Sequence, residues 1–251
     1  MKKAILTASV SVLLSLQSFA QIDLNSIEKQ GADALKKVDG AGAGTSSPLS
    51  NDDVVKGLKE ALNVGTKNST ASASATDGFF KNPLIFIPFP PDAQKVKDKA
   101  IALGQKDQVD KFEQSLNRAA EEASKEAATI LINAITSMSV SDGFAILKGA
   151  NNAATQYLRD KTTADLLVKF KPIVDAAIAK VQVTKEWTPL ITTYNRIPFV
   201  EKQNPDLSDY VTKKALDGLF KLVEAEELKI RQNPAAQVTD LLKKVFGSVM
   251  K

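Results

Sequence analysis

The chain has 251 residues with 33 Lys and Arg against 29 Asp and Glu, a formal charge of +4, and neither histidine nor cysteine. The missing histidine and cysteine exclude Ser-His-Asp and Cys-His nucleophiles, thiolate chemistry, disulfide staples and the usual zinc, copper and haem ligand sets. Cations and anions are interleaved rather than massed, which argues against a nucleic-acid partner.

Residues 1–20, "MKKAILTASVSVLLSLQSFA", place Lys2 and Lys3 before an apolar run from Ala4 to Leu16, and Ser18-Phe19-Ala20 is a small-x-small cleavage site. That pattern predicts a secretory signal peptide. The run is short of the roughly 20 residues a spanning helix needs, so no stable membrane anchor is expected after cleavage. The mature chain is expected to be soluble, in the periplasm or outside the cell, and losing Lys2 and Lys3 takes the formal charge from +4 to +2. Residues 21–50 read as a short helix followed by a flexible Gly/Ser-rich arm. Residues 51–251 read as the helical domain.

Ser50 or Asn51 can cap a first helix carrying Val54, Val55, Leu58, Ala61 and Leu62, with Asp52 and Asp53 in its first turn. The run "TKNSTASASAT" fits either a closely packed helix or a loop. The stretch "TDGFFKNPLIFIPFPPDAQKV" (76–96) then packs Phe79, Phe80, Leu84, Ile85, Phe86, Ile87 and Phe89 among four prolines, which remove backbone donors, so neither a central strand nor a helix fits it. It is expected to be a strap lying across the helical body, with Pro91 starting a short helix that Gly104 closes.

Val109, Phe112, Leu116, Ala119, Ala123, Ala127, Ile130, Ala134 and Met138 recur at steps of three and four, which predicts one long central helix from Asp107 to Met138. Ser141 is expected to cap a short helix to Lys148. Beyond Gly149, "NNAATQYLRDK" reads as another short helix, and Thr162 or Thr163 as the cap of a third, which Pro172 can kink. A helix over 184–194 contains Trp187, "NRIPFVEKQNPDL" is a loop, Ser208 caps the last long helix to Gln232, and a final helix spans 234–246. The expected fold is all-α, an irregular multi-helix bundle with one long central helix and an extended Pro-rich strap.

Any catalysis would have to run on Asp, Glu, Lys, Ser, Thr or Tyr. The arc of Ala215, Leu216, Leu219, Leu222, Val223 and Ile230 places Glu226 near its centre, roughly 20° from Leu219. Either the arc ends at a domain edge, where Glu226 reaches water or a nearby cation, or the carboxylate is buried and must be paired, hydrogen-bonded or protonated, which makes it the one weak catalytic candidate. Glu227 and Arg231, four apart, read as a solvated pair with the alternating charges of the same helix. On the long helix Asn117, Arg118 and Glu121 lie away from the apolar face, and Arg118 can also pair with Glu122. If a second layer covers them they form a buried network, to which Tyr157 could add a hydroxyl.

Five segments, "GLKEAL", "TDGFFKNPLIFIPFP", "FEQSLNRAAEEA", "AATQYL" and above all "DYVTKKALDGLFKLVEAEELKIRQNPAAQVTDLLKKVFG", resemble in the same order a family of bacterial envelope proteins, domain of unknown function 4197. The resemblance runs from Asp52 to Gly247. It implies an exported, mostly helical domain and brings no activity or catalytic residues with it. It also marks Phe86 as a departure, since a basic or polar residue often stands there in the family.

No cofactor or metal is expected. The first functional expectation is a non-enzymatic binding or scaffold module for an envelope protein, a peptide or an apolar ligand. Phe79, Phe86 and Phe89 would then be exposed or line a pocket, with Asn117, Arg118, Glu121, Tyr157, Glu226 and Arg231 as further contacts. The alternative is a carboxylate-based hydrolase or lyase acting on an envelope polymer, with Glu226 as acid or base and Arg118 or Arg231 as charge stabiliser. A third is a membrane-surface adaptor inserting the strap's aromatics.

Overall fold

Helix α1 (Asn51–Ser74) starts at a reciprocal capping box, in which the Ser50 hydroxyl accepts from the Asp53 amide and the Asp53 carboxylate accepts from the Ser50 amide. The computed structural model describes residues 48–141 and 143–249, so the expected signal peptide and nearly all of the expected arm lie outside the described residues. α1 continues through "TKNSTASAS" because its Thr66, Ser69, Thr70 and Ala73 are buried against neighbouring helices, where small side chains permit close approach.

After the strap, a single 3-10 turn at Pro91–Ala93 leads into α2 (Gln94–Ala102), and Gly104 closes it with φ +78. Helix α3 (Lys106–Ser137) is the long helix, followed by α4 (Gly143–Leu147), α5 (Ala153–Lys180), α6 (Val183–Asn195), α7 (Leu207–Gln232) and α8 (Asp240–Gly247). No strand occurs among the described residues. The fold is all-α. Helices α1, α3, α5 and α7 close a ring, each packing on two of the others as neighbours. α3 also carries α2 and α6, whereas α4 and α8 lie against α1.

Several boundaries differ from the sequence reading. The short helix begins at Gly143, whose amide donates to Asn51 Oδ1 of α1 at 2.9 Å. The hydroxyls of Thr162 and Thr163 donate back to the carbonyls of Leu158 and Arg159, each at 2.6 Å, so these residues lie inside α5 and cap nothing. Pro172 also lies within α5, and the carbonyl it cannot serve belongs to Val168, which is exposed to water. Asp206, rather than Ser208, caps α7 by accepting from the Asp209 amide at 2.9 Å. The last predicted helix is in two pieces, a 3-10 turn at Pro234–Ala236 and α8, which Thr239 caps.

The strap crosses α7 at Gly218, where a Cβ atom would lie 2.9 Å from Phe79 Cε1 and 3.1 Å from the Cβ of Ile85. A hydrogen at that position makes the room. Phe79, Ile85, Ile87 and Phe89 are buried in the common core, and the Phe89 ring packs edge-on against Phe112 at 5.0 Å and beside Trp187 at 5.8 Å.

Candidate functional site

The strap cannot satisfy all of its own backbone, because it forms no strand and three of its residues, Pro83, Pro88 and Pro90, are prolines. α3 does this instead, through three side chains spaced four apart on one face. Glu121 Oε1 accepts from the amides of Phe79 and Phe80, each at 3.1 Å. Asn117 closes a two-way bond with Ile87, accepting from its amide and donating to its carbonyl at 2.8 Å each. Glu113 accepts from the Phe89 amide at 3.0 Å and is paired with Lys97 at 2.6 Å. Between these points the chain turns on itself, Ile85 and Phe86 donating to the Asn82 carbonyl. Tyr210 donates to the Pro88 carbonyl. Asn117, Arg118 and Glu121 are thus brought together under a second layer, and that layer is the strap.

Arg118 pairs with Glu121 and with Asp77, each at 2.6 Å, and not with Glu122. Asp77 sits at φ +67 at the start of the strap, held there by Arg118 and Lys81. Glu122 binds Lys125 and Lys180. Phe79 and Phe89 are core residues, which corrects the expectation that they present a binding face; only Phe86 is half-buried, beside Phe80 at 6.2 Å. Tyr157 stands apart from this network, donating to the Ser139 carbonyl at 2.6 Å.

The second polar centre is on α7, and it is one residue away from the expected one. Glu227, with 1% of its side chain accessible, is the buried carboxylate. It accepts from the amides of Ala154 and Thr155 and from the Thr155 hydroxyl, at 3.0, 2.7 and 2.6 Å. Arg231 pairs with it at 2.8 Å and donates to the carbonyls of Leu147 and Ile146, at 2.7 and 3.1 Å. A carboxylate therefore sits on the N-terminus of α5 and a guanidinium on the C-terminus of α4, each complementing the helix end it meets. The solvated-pair reading is corrected here: Glu227 and Arg231 staple the break between two helices. Glu226 instead lies partly accessible, its two oxygens taken by Asn68 and by the exposed Lys229.

The groove that none of these residues lines is the more promising site. An open groove of about 620 Å³ runs between the tip of the strap and α7, walled by Leu84, Ala225 and Leu228 and rimmed by Asn152, Lys221 and Glu224. Leu84 is 49% and Leu228 37% exposed. Asn152 donates to Glu224 at 2.9 Å, which fixes one rim. An apolar floor with a few set polar groups, at this volume, is the usual character of a ligand site. Two smaller clefts of about 450 Å³ have mixed polar and apolar linings; Arg118 and Glu121 face one, and Tyr157 faces the other. Only faint signs of the groove are present in the sequence: Leu84 follows the Asn82-Pro83 turn, and Leu228 is an apolar residue off the buried arc of α7.

A family model described as "Protein of unknown function (DUF4197)" matches residues 48–247. The chain belongs to the DUF4197 family. Within this DUF4197 domain, the segment 209–247 that carries most of the resemblance supplies Gly218 under the strap, one wall of the groove, and both members of the Glu227–Arg231 staple. Curated proteins and solved structures give no match to it. No described helix of the domain is long and apolar enough to cross a membrane, and no described group of three or more acids could hold a metal ion.

Several carboxylates of the domain are held below the ordinary range by their partners: Asp77 by Lys81 and Arg118, Glu122 by Lys125 and Lys180. Burial pushes Asp217 up, but bonds from Arg159 and Lys221 outweigh it and leave it low. Groups so depressed take up protons more readily when unfolded, so they add stability that is present above the ordinary carboxylate value of about 4 and lost as pH falls through their folded values. Burial, and then the charge of Glu113, raises Tyr210 to about 12. That contribution has the opposite sign, full below about pH 10 and lost as pH rises towards the folded value. Thermal melts from pH 2.5 to 11.5 should give a plateau between about pH 5 and 9 with both flanks falling. Tyr210→Phe should flatten the alkaline flank and leave the acid one.

Proposed function

We propose that this protein is exported and acts in the bacterial envelope as a non-enzymatic binding module whose groove takes an apolar ligand or the apolar side chains of a peptide. The observation that carries the reading is the groove itself, in which half-exposed Leu84 and Leu228 face each other across Ala225 on a domain whose other large apolar residues are mostly buried. Export is supported by the basic, apolar and small-residue order of residues 1–20. Against the hydrolase reading, Glu226, its candidate acid, is already bonded to Asn68 and Lys229. Glu121 and Glu227 hold backbone amides, and Glu122 is kept ionised by two lysines, which suits neither a general acid nor a base near neutral pH.

The apolar dye N-phenyl-1-naphthylamine tests this reading on the mature chain. Its fluorescence should rise on binding the wild type, and Leu84→Asp or Leu228→Asp should each weaken binding at least about tenfold, equivalent to about 1.4 kcal/mol. Both side chains are substantially exposed, so neither change removes core packing. Equal binding by wild type and both variants would place the ligand elsewhere.

A further inference from the structure

Phe199 has no packing contact with the core and stands on a loop closed at its base. It is 107% exposed, the most accessible large apolar side chain among the described residues. Its φ is +63, a conformation that residues with a Cβ avoid. Of the other described non-glycine residues with positive φ, Asp77 is fixed by Arg118 and Lys81, and Gln182 begins α6. The loop around Phe199 is closed at its base, where Asn195 donates to the Gln203 carbonyl at 3.1 Å and accepts from the Gln203 amide at 3.0 Å. Ile197 and Val200, on either side of it, pack against the core. A clamped base, two anchored neighbours and a strained tip hold one aromatic ring out in water. Such strain is kept where the surroundings enforce it, and it concentrates at functional positions.

We propose that the Phe199 finger inserts into the Leu84–Leu228 groove of a second copy of this chain. This rests on the groove reading above and names its occupant. The groove is of a size for one aromatic side chain with flanking residues, and its walls are apolar. Exposed Arg196 and Lys202 flank the ring and can meet Glu224 of the groove rim, which Asn152 leaves with a free oxygen, and Glu201 can share Lys221 with its partner Asp217. The finger cannot reach its own groove. It precedes the start of α7 at Leu207, whereas Lys221 and Leu228 lie about 21 and 31 Å further along that helix at 1.5 Å per residue. Finger and groove are different surfaces, so the contact is head-to-tail, and each copy keeps one of each free for the next.

Sedimentation velocity of the mature chain over a wide concentration range tests the proposal, with far-UV circular dichroism confirming that each variant is folded. Wild type should form species that grow with concentration. Phe199→Ser, which keeps the groove, and Leu228→Asp, which keeps the finger, should each be monomeric. Their equimolar mixture should restore a dimer and nothing larger, because it holds one working finger and one working groove. A wild type that stays monomeric, variants that still assemble, or a mixture that stays monomeric would overturn it. So would vesicle co-sedimentation that Phe199→Ser abolishes in an otherwise monomeric protein, since the ring would then serve a bilayer. Dye binding separates this from the underlying reading: a monomeric wild type that binds the dye loses the second copy and keeps the groove, and one that does not bind loses both.

Discussion

Glu227→Gln should lower the stability of the domain by about 3–5 kcal/mol, the range for breaking one side of a buried ion pair. The amide cannot serve as acceptor on both oxygens' positions, so the amides of Ala154 and Thr155 and the Thr155 hydroxyl compete for one carbonyl. Arg231 is left as an uncompensated buried cation, with only 6% of its side chain accessible. An exposed pair at i, i+4 on a helix contributes about 0.3–0.5 kcal/mol, so the two readings of this pair differ about tenfold. Urea unfolding midpoints of wild type, Glu227→Gln and Arg231→Met decide between them. A loss under about 1 kcal/mol would mean that the staple is not buried. Combining the two changes should not restore stability, because the helix ends they serve would still lack partners.

Asn117→Ala should be a strongly damaging change on α3 although it removes no apolar surface. It leaves both the amide and the carbonyl of Ile87 buried without a partner, at about 1–3 kcal/mol for each group so orphaned. The fluorescence of Trp187 reports the consequence, since it is the sole tryptophan and packs against Phe89 and Phe112. Loosening of the strap exposes the indole, so emission should move to longer wavelength below the midpoint of global unfolding. Lys111→Ala, on the exposed side of the same helix, should change stability by less than about 0.5 kcal/mol and leave the emission alone.

Helical periodicity made the class and most of the elements legible, because an apolar stripe at steps of three and four is a property of the chain alone. Several boundaries escaped, because more than one bond was open to the same groups. The first amide of α4 is met by Asn51 across 92 positions, and the hydroxyls of Thr162 and Thr163 bond back within α5 where capping was equally open to them. The misplaced acid has a plainer cause. Leu222 is only half-buried, and counting it in the arc of α7 turned the centre towards Glu226. Without it, Leu216, Leu219, Val223 and Ile230 set a register in which Glu227 falls four after Val223 and three before Ile230. The polar stripe of Asn117, Arg118 and Glu121 was visible as a possible network, but its purpose depends on a segment 30 to 42 positions away. The groove and the Phe199 finger were hardest to read. An exposed leucine or phenylalanine is unremarkable in a sequence, and only the fold tells which apolar residues the core leaves out.

The account turns on the strap being a fixed part of the body, held by α3, so that its tip forms one wall of a preformed groove. Amide hydrogen exchange resolved residue by residue from Phe79 to Phe89 tests this most directly. The amides of Phe79, Phe80, Ile87 and Phe89, which donate to Glu121, Asn117 and Glu113, should exchange nearly as slowly as the buried turns of α3, and the exposed tip at Leu84 faster. Uniformly fast exchange along the whole strap would contradict the account.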